Sequence, residues 1–255
     1  MRSLIKKIAR SDFGISLRNN LGFRPTPISI NSKFKFTSIS DAFIWRTDNE
    51  YKTTFKYADI LSLFYKIENS YVELLFYSKD NNFIKKVIIN HLNYSNKLLI
   101  DKEFLDGIED YGVFYIFHRS ESYSGNDLTI TNQCYVGFSI NDSLSSFAHG
   151  NVYVKSQSLD GKFHGSDMVK SSLKKNLYRI QNSFKNFTKT ELFFANPLSK
   201  KIYFSIGNNK YTLDKNCSIL IDVTGQKNTS IISRCMFLRP IVFNYKGGFI
   251  DIYHG

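Results

Sequence analysis

The chain is poor in the residues that mark several protein classes. Its 255 residues include three cysteines, four prolines, fourteen glycines and one tryptophan. Cys134, Cys217 and Cys235 contain no Cys-x-x-Cys pair and leave one thiol over in any disulfide scheme, which argues against a disulfide-built secreted domain. So few prolines and glycines exclude collagen-like and Pro/Gly-rich disordered chains. No apolar run approaches the roughly 18 residues of a membrane-spanning helix. The opening, Met1 to Arg10, lacks the apolar core of a secretory signal, so the expected location is cytoplasmic, with a peripheral membrane contact as a variant. In that setting the Asn-x-Ser/Thr triplets at Asn93, Asn141, Asn186 and Asn228 carry no weight. The metal-spaced Cys/His sets, the HExxH, GxSxG and GxGxxG patterns and the phosphate-binding loop are also missing, so no metal and no cofactor is expected. Ser171 and Lys174 match an SxxK spacing, as chance allows in a chain rich in both residues.

What the chain has in quantity is aromatic and branched apolar residues. Phe (23) and Tyr (16) supply most of a 16% aromatic content, and hydrophobic residues make up 42%. That mix suits a pleated, half-buried surface. AT-rich codon usage yields a similar mix, so local pattern has to arbitrate. Strands are expected at Tyr71–Tyr77, Ile84–Asn90, Val113–Arg119 and Cys134–Ile140, separated by polar turns. One short helix fits Ala58–Ile67. In the last third, Ile202, Phe204 and Ile206 alternate with Tyr203 and Ser205, Ile219, Ile221 and Val223 alternate again, and strands recur about every ten residues.

The fold expected is therefore mainly β, an antiparallel β-sandwich of two packed β-rich units with one or two short helices. A basic segment over residues 1–33 precedes a β-rich domain at 34–150 and a basic sandwich-like domain at 151–255. A basic amphipathic helix is expected on Val169, Leu173, Leu177, Ile180 and Phe184, with a strand over Leu177–Gln181 as its rival. Ser143 to Ser166, full of small and polar residues, reads as a boundary or long functional loop.

The formal net charge of +12 is unevenly spread. Residues 1–40 carry +7, residues 41–150 carry −5, and residues 151–255 carry +10. Positive segments suit nucleic acid, anionic lipid or an acidic glycan. Lys outnumbers Arg by 25 to nine, and Lys lacks the bidentate fork that reads bases and phosphates. With no nucleic-acid-binding motif present, nucleic acid is not the expected partner. Leu4, Ile5 and Ile8, with Lys6 and Lys7 between them, give residues 1–24 the pattern of a short anchor on an anionic membrane surface.

Candidate site residues come from the loop where the charge changes sign. His149 and His164 each precede a glycine and bracket that stretch. Imidazole titrates near neutrality, so His149, oriented by Asp142 or Asp167, is the candidate catalytic group. Asn141, Asn151 and His164 offer hydrogen bonds to hydroxyl groups, and Trp45 with Arg46 offers a ring face and a cation for a sugar or an acidic group. The alternative for Trp45 is a plain core residue. Three functions are open at this stage: a β-sandwich binding or accessory protein for a glycan or other acidic polymer, as in cell-surface polysaccharide metabolism; a small enzyme using His149 with a nearby carboxylate on a hydroxyl- or phosphate-bearing substrate; and a structural or assembly protein. Oligomeric state is not legible.

Overall fold

The computed structural model describes Ile5, Lys7, Ile8, Ser11, Phe13, Gly14, Leu17 and residues 36–123, 128–131, 134–141, 143–158, 161–165, 171–180, 186–196, 198, 200–226, 229–235 and 238–255. The first elements are β1 (Phe36–Arg46), β2 (Tyr51–Tyr57), α1 (Ile60–Tyr65), β3 (Ser70–Ser78), β4 (Phe83–Ile89), β5 (Asn96–Ile100) and β6 (Tyr111–Ser120). Next come β7 (Leu128–Thr131), β8 (Tyr135–Ile140), β9 (Ser146–His149), β10 (Asn151–Ser158), β11 (Phe163–Gly165) and β12 (Ser171–Arg179). The last are β13 (Lys189–Ala195), β14 (Ile202–Ile206), β15 (Asn209–Leu213), β16 (Ser218–Asp222), β17 (Ser230–Cys235), β18 (Ile241–Lys246) and β19 (Phe249–His254).

The mainly β expectation holds, but its architecture is corrected. The strands form four sheets, set as a four-bladed β-propeller ring and not as a sandwich of two units. One sheet runs β11-β10-β1-β6-β3-β4 with β7 parallel to β1, and the others run β5-β2-β8-β9, β12-β17-β14-β15 and β16-β13-β18-β19. Even spacing along a sequence reveals that strands exist. It does not reveal which strands pair, and here many neighbours are distant in sequence: β1 pairs β10, and β12 pairs β17.

Long strands bind the largest sheet together. β1 is bulged between Ser40 and Ala42; it pairs β10 on both sides of the bulge, as far as Ala42 opposite Asn151, and β6 from Phe43 to Arg46. Gly112 is needed where β6 meets β3, because a Cβ there would lie 2.1 Å from the Tyr77 carbonyl oxygen. That close approach lets the Trp45 indole N–H donate to the same carbonyl at 2.9 Å. The Asp59 carboxylate caps α1, accepting from the Ser62 amide at 3.1 Å, and Lys66 ends the helix in the left-handed region at φ 57°.

A single apolar cluster runs through all four sheets. Aromatic rings make the joints. Phe55 meets Phe114 edge-on at 4.9 Å, Phe138 meets Phe243 at 5.1 Å, and Phe194 meets Phe204 at 4.8 Å, within the range where ring pairs attract beyond their buried area.

Two local expectations are overturned as well. The described part of the segment expected to be an amphipathic helix forms β12, as the rival strand reading has it at Leu177–Arg179, with Val169, Gln181 and Phe184 outside the described residues. Asn176 and Tyr178, and Ile180 just past the strand, lie inward of exposed Lys175, Leu177 and Arg179. A period of two beats the helical spacing because Tyr and Ile at alternate positions have β17 to pair with. The expected loop at 143–166 supplies β9, β10 and β11 instead. Its small residues are packing devices: Ser156, Gln157 and Ser158 are buried, and a Cβ on Gly150 would lie 2.6 Å from that of Asp41.

Candidate functional site

The four strands β5, β2, β8 and β9 carry no aspartate or glutamate, although they lie in the acidic part of the chain. Strand pleating sorts their residues onto two faces. Tyr51, Thr53, Phe55 and Tyr57 of β2 point into the core, with Val136 and Phe138 of β8. The alternate residues make the outer face.

Register places these outer residues in rows. Lys97, Lys56, Tyr135 and His149 lie side by side across the four strands. Leu99, Thr54, Gly137 and Phe147 form the next row, and Lys52 lies opposite Ser139 beyond it. The His149 ring lies over Tyr135 at 4.3 Å between centroids, and the Lys56 ammonium is 4.5 Å from the centre of the Phe147 ring. Tyr135 and Phe147 are 45% and 37% exposed, enough to offer ring faces to a ligand. Gly137 makes the second row possible, since a Cβ on it would meet the Phe147 ring at 2.5 Å.

Lys56 and Lys97 are direct cross-strand partners. Like charges in that relation cost stability, on the order of 0.2–1 kcal/mol. Among the described residues neither lysine has a carboxylate partner. The result is an unneutralised pair of cations beside two partly exposed rings, suited chemically to an acid-bearing ring or chain.

The residues singled out from sequence are placed as follows. His149 lies on this face, and its backbone carbonyl contacts the His254 ring at 3.0 Å. Burial pushes the His254 imidazole down from its usual range, more than its hydrogen bond to His149 restores. No hydrogen bond joins His149 to a carboxylate among the described residues. Asp142, Asp167 and the side chain of His164 lie outside the described residues. Asn141 is exposed in the turn after β8, left-handed at φ 48°, whereas Asn151 is half-buried in another sheet opposite Ala42.

Trp45 and Arg46 are both core residues, so neither offers a surface for stacking. The Arg46 guanidinium holds Asp48 through two hydrogen bonds of 2.9 and 2.7 Å, reaches Glu191 at 3.1 Å, and lies 4.0 Å from the centre of the Tyr51 ring. A Trp-Arg pair reads alike in sequence whether it faces water or core. Lys56, Lys97, Tyr135 and Phe147 are not among the residues singled out from sequence; the signal for them is Lys52 and Lys56 on one face of Tyr51–Tyr57 and the lack of acids on these strands.

No helix among the described residues is long and apolar enough to cross a membrane, and no group of His, Cys, Asp and Glu there could hold a metal ion. No family model and no curated protein matches the chain. Among solved structures, it is similar to the M60 catalytic domain with the CBM51-1 and CBM51-2 domains from Clostridium perfringens ZmpB, at 7% identity and a TM-score of 0.19. The likeness covers 84% of this chain, which spans 34% of that one, and so distant a match carries no argument about function.

Proposed function

We propose that this protein is a non-catalytic binding module for an acidic polysaccharide, engaged on the outer face of the β5-β2-β8-β9 sheet. The observation that carries the reading is the opposed Lys56–Lys97 pair continuing into Tyr135 and His149, on a sheet without acids. A sugar ring packs its apolar face on Tyr135 or Phe147, while its carboxylates meet the lysine ammoniums. Lysines suit this task because a compact point charge tolerates varied carboxylate positions, where a guanidinium fork would demand one geometry.

The test is binding of the full chain to polygalacturonate, a linear polyuronate, with neutral dextran as control and duplex DNA as competitor. Polygalacturonate is expected to bind with an affinity that falls as salt rises, and Lys56→Glu/Lys97→Glu is expected to weaken it by about tenfold or more, each lost ion pair and the added repulsion contributing. Equal binding to dextran, wild-type affinity in the double variant, or preferential capture of DNA would each overturn the reading.

A further inference from the structure

We infer that residues 1–24 seat this protein on an anionic membrane surface. Ile5, Lys7 and Ile8 are helical, and so are Phe13, Gly14 and Leu17. Ser11 joins the two stretches. Its amide and hydroxyl both donate to the Ile8 carbonyl, at 3.1 and 2.6 Å, and its hydroxyl oxygen accepts from the Gly14 amide at 3.1 Å. The one side chain therefore closes the first helical stretch and caps the second.

Each stretch carries an apolar pair at helical spacing, Ile5 with Ile8 and Phe13 with Leu17. All four side chains are exposed, Phe13 to 74% and Ile5 to 59%, and none belongs to either apolar cluster of the protein. Around them the sequence places Arg2, Lys6, Lys7, Arg10, Arg18 and Arg24 against a single acid, Asp12. Charge decides what covers these side chains. A second copy of the chain brings the same basic segment and a net charge of +12, so self-association is opposed by repulsion. An anionic bilayer offers both requirements together, a negative surface for the cations and an acyl boundary for Ile and Phe. The sequence there holds no apolar run near the roughly 18 residues a span requires, so the segment lies in the interface and does not cross it. The inference is independent of the polysaccharide face, which lies on another part of the chain.

Co-sedimentation of the full chain with vesicles tests it, using phosphatidylcholine alone and equal parts phosphatidylcholine and phosphatidylserine. Binding to the anionic vesicles is expected to exceed binding to the neutral ones by about tenfold or more and to fall with added salt. Ile8→Gln/Phe13→Gln is expected to cost about tenfold in vesicle binding, with the melting temperature and polygalacturonate binding unchanged. Lys56→Glu/Lys97→Glu is expected to leave vesicle binding intact, so the two readings fail separately. Equal binding to both vesicles, a double-Gln variant that binds like the parent, loss only in the lysine variant, or a dimer in gel filtration that the double-Gln variant dissolves would each overturn the inference.

Discussion

Arg46 Nη1 lies 3.1 Å from Glu191 Oε2, joining β1 to β13 across 145 residues of chain. Around that contact Asp48 grips the guanidinium from the other side, Tyr245 donates its hydroxyl to Glu191, and Tyr51 donates to Tyr245 at 2.6 Å. Lys189 pairs with the second Glu191 oxygen at 2.6 Å. Burial disfavours the Arg46 charge, yet its bond to Asp48 and the field of its neighbours hold it protonated more firmly than usual. Burial likewise pushes the Glu191 carboxyl up, but Arg46, with help from Lys189 and Tyr245, brings it below the usual carboxylate range.

Breaking one side of this pair strips a buried charge of one of its two ionic partners: Arg46 keeps Asp48 and Glu191 keeps Lys189. Arg46→Met and Glu191→Leu are each expected to destabilise by about 1–3 kcal/mol, and the double variant by clearly less than the sum. Urea denaturation of the four proteins gives the cycle. Additive losses would show that the two residues act independently.

The opposed lysines predict a conflict between stability and binding. Lys97→Glu turns a repulsive cross-strand pair with Lys56 into an attractive one. Its melting temperature is expected to rise by about 2–4 °C while polygalacturonate binding weakens. Thermal denaturation and a binding titration on the same sample check both signs.

Two glycines in tight places should respond differently. At Gly137 the added methyl meets the outer end of the Phe147 ring, which can swing off the sheet; at Gly112 it meets backbone, 2.1 Å from the Tyr77 oxygen. Gly137→Ala is expected to cost under about 1 kcal/mol and to weaken ligand binding by displacing a ring. Gly112→Ala is expected to destabilise by several times as much, since β6 and β3 must part. Calorimetry of the two variants side by side distinguishes the cases.

Two buried groups tilt the same pH interval in opposite senses. His118 is wholly buried, neither ring nitrogen has a hydrogen-bond partner among the described residues, and burial pushes it down to about 4, against a smaller upward pull from Asp59. Protonation therefore favours the unfolded chain, and its contribution is lost as pH falls from about 6.5 through 4. Asp41 is pushed up by burial to about 7, so its contribution is full below about pH 4 and is lost as pH rises through 7. His118→Leu is expected to remove a rise in stability between about pH 4 and 6.5, and Asp41→Asn a fall between about pH 4 and 7. Denaturation midpoints from pH 4 to 8 separate them.

The parts of this fold legible in sequence are those set by neighbouring residues. Alternation at Ile202, Phe204 and Ile206 marks β14, and the Ala58–Ile67 pattern brackets α1. Pairing is hidden in the sequence because β1 takes two partners at different points along its length, β10 more than a hundred residues away and β6 some 65–71 residues away. The histidine loop misled for a physical reason: Ser156, Gln157 and Ser158 pack against a neighbouring strand, where a short polar side chain fits as a larger apolar one would not. His149 stands out in the sequence through its own chemistry, as a candidate catalytic group. The lysines beside it needed the register, which sequence does not display.

The row Lys97–Lys56–Tyr135–His149 has two unlike ends. It crosses four strands, roughly 14 Å at the usual strand separation. A linear ligand laid along it meets cations first and rings second, and the same ligand turned end for end meets them in the opposite order. Under the polysaccharide-binding proposal, such a face is expected to discriminate the direction of a chain as well as its charge.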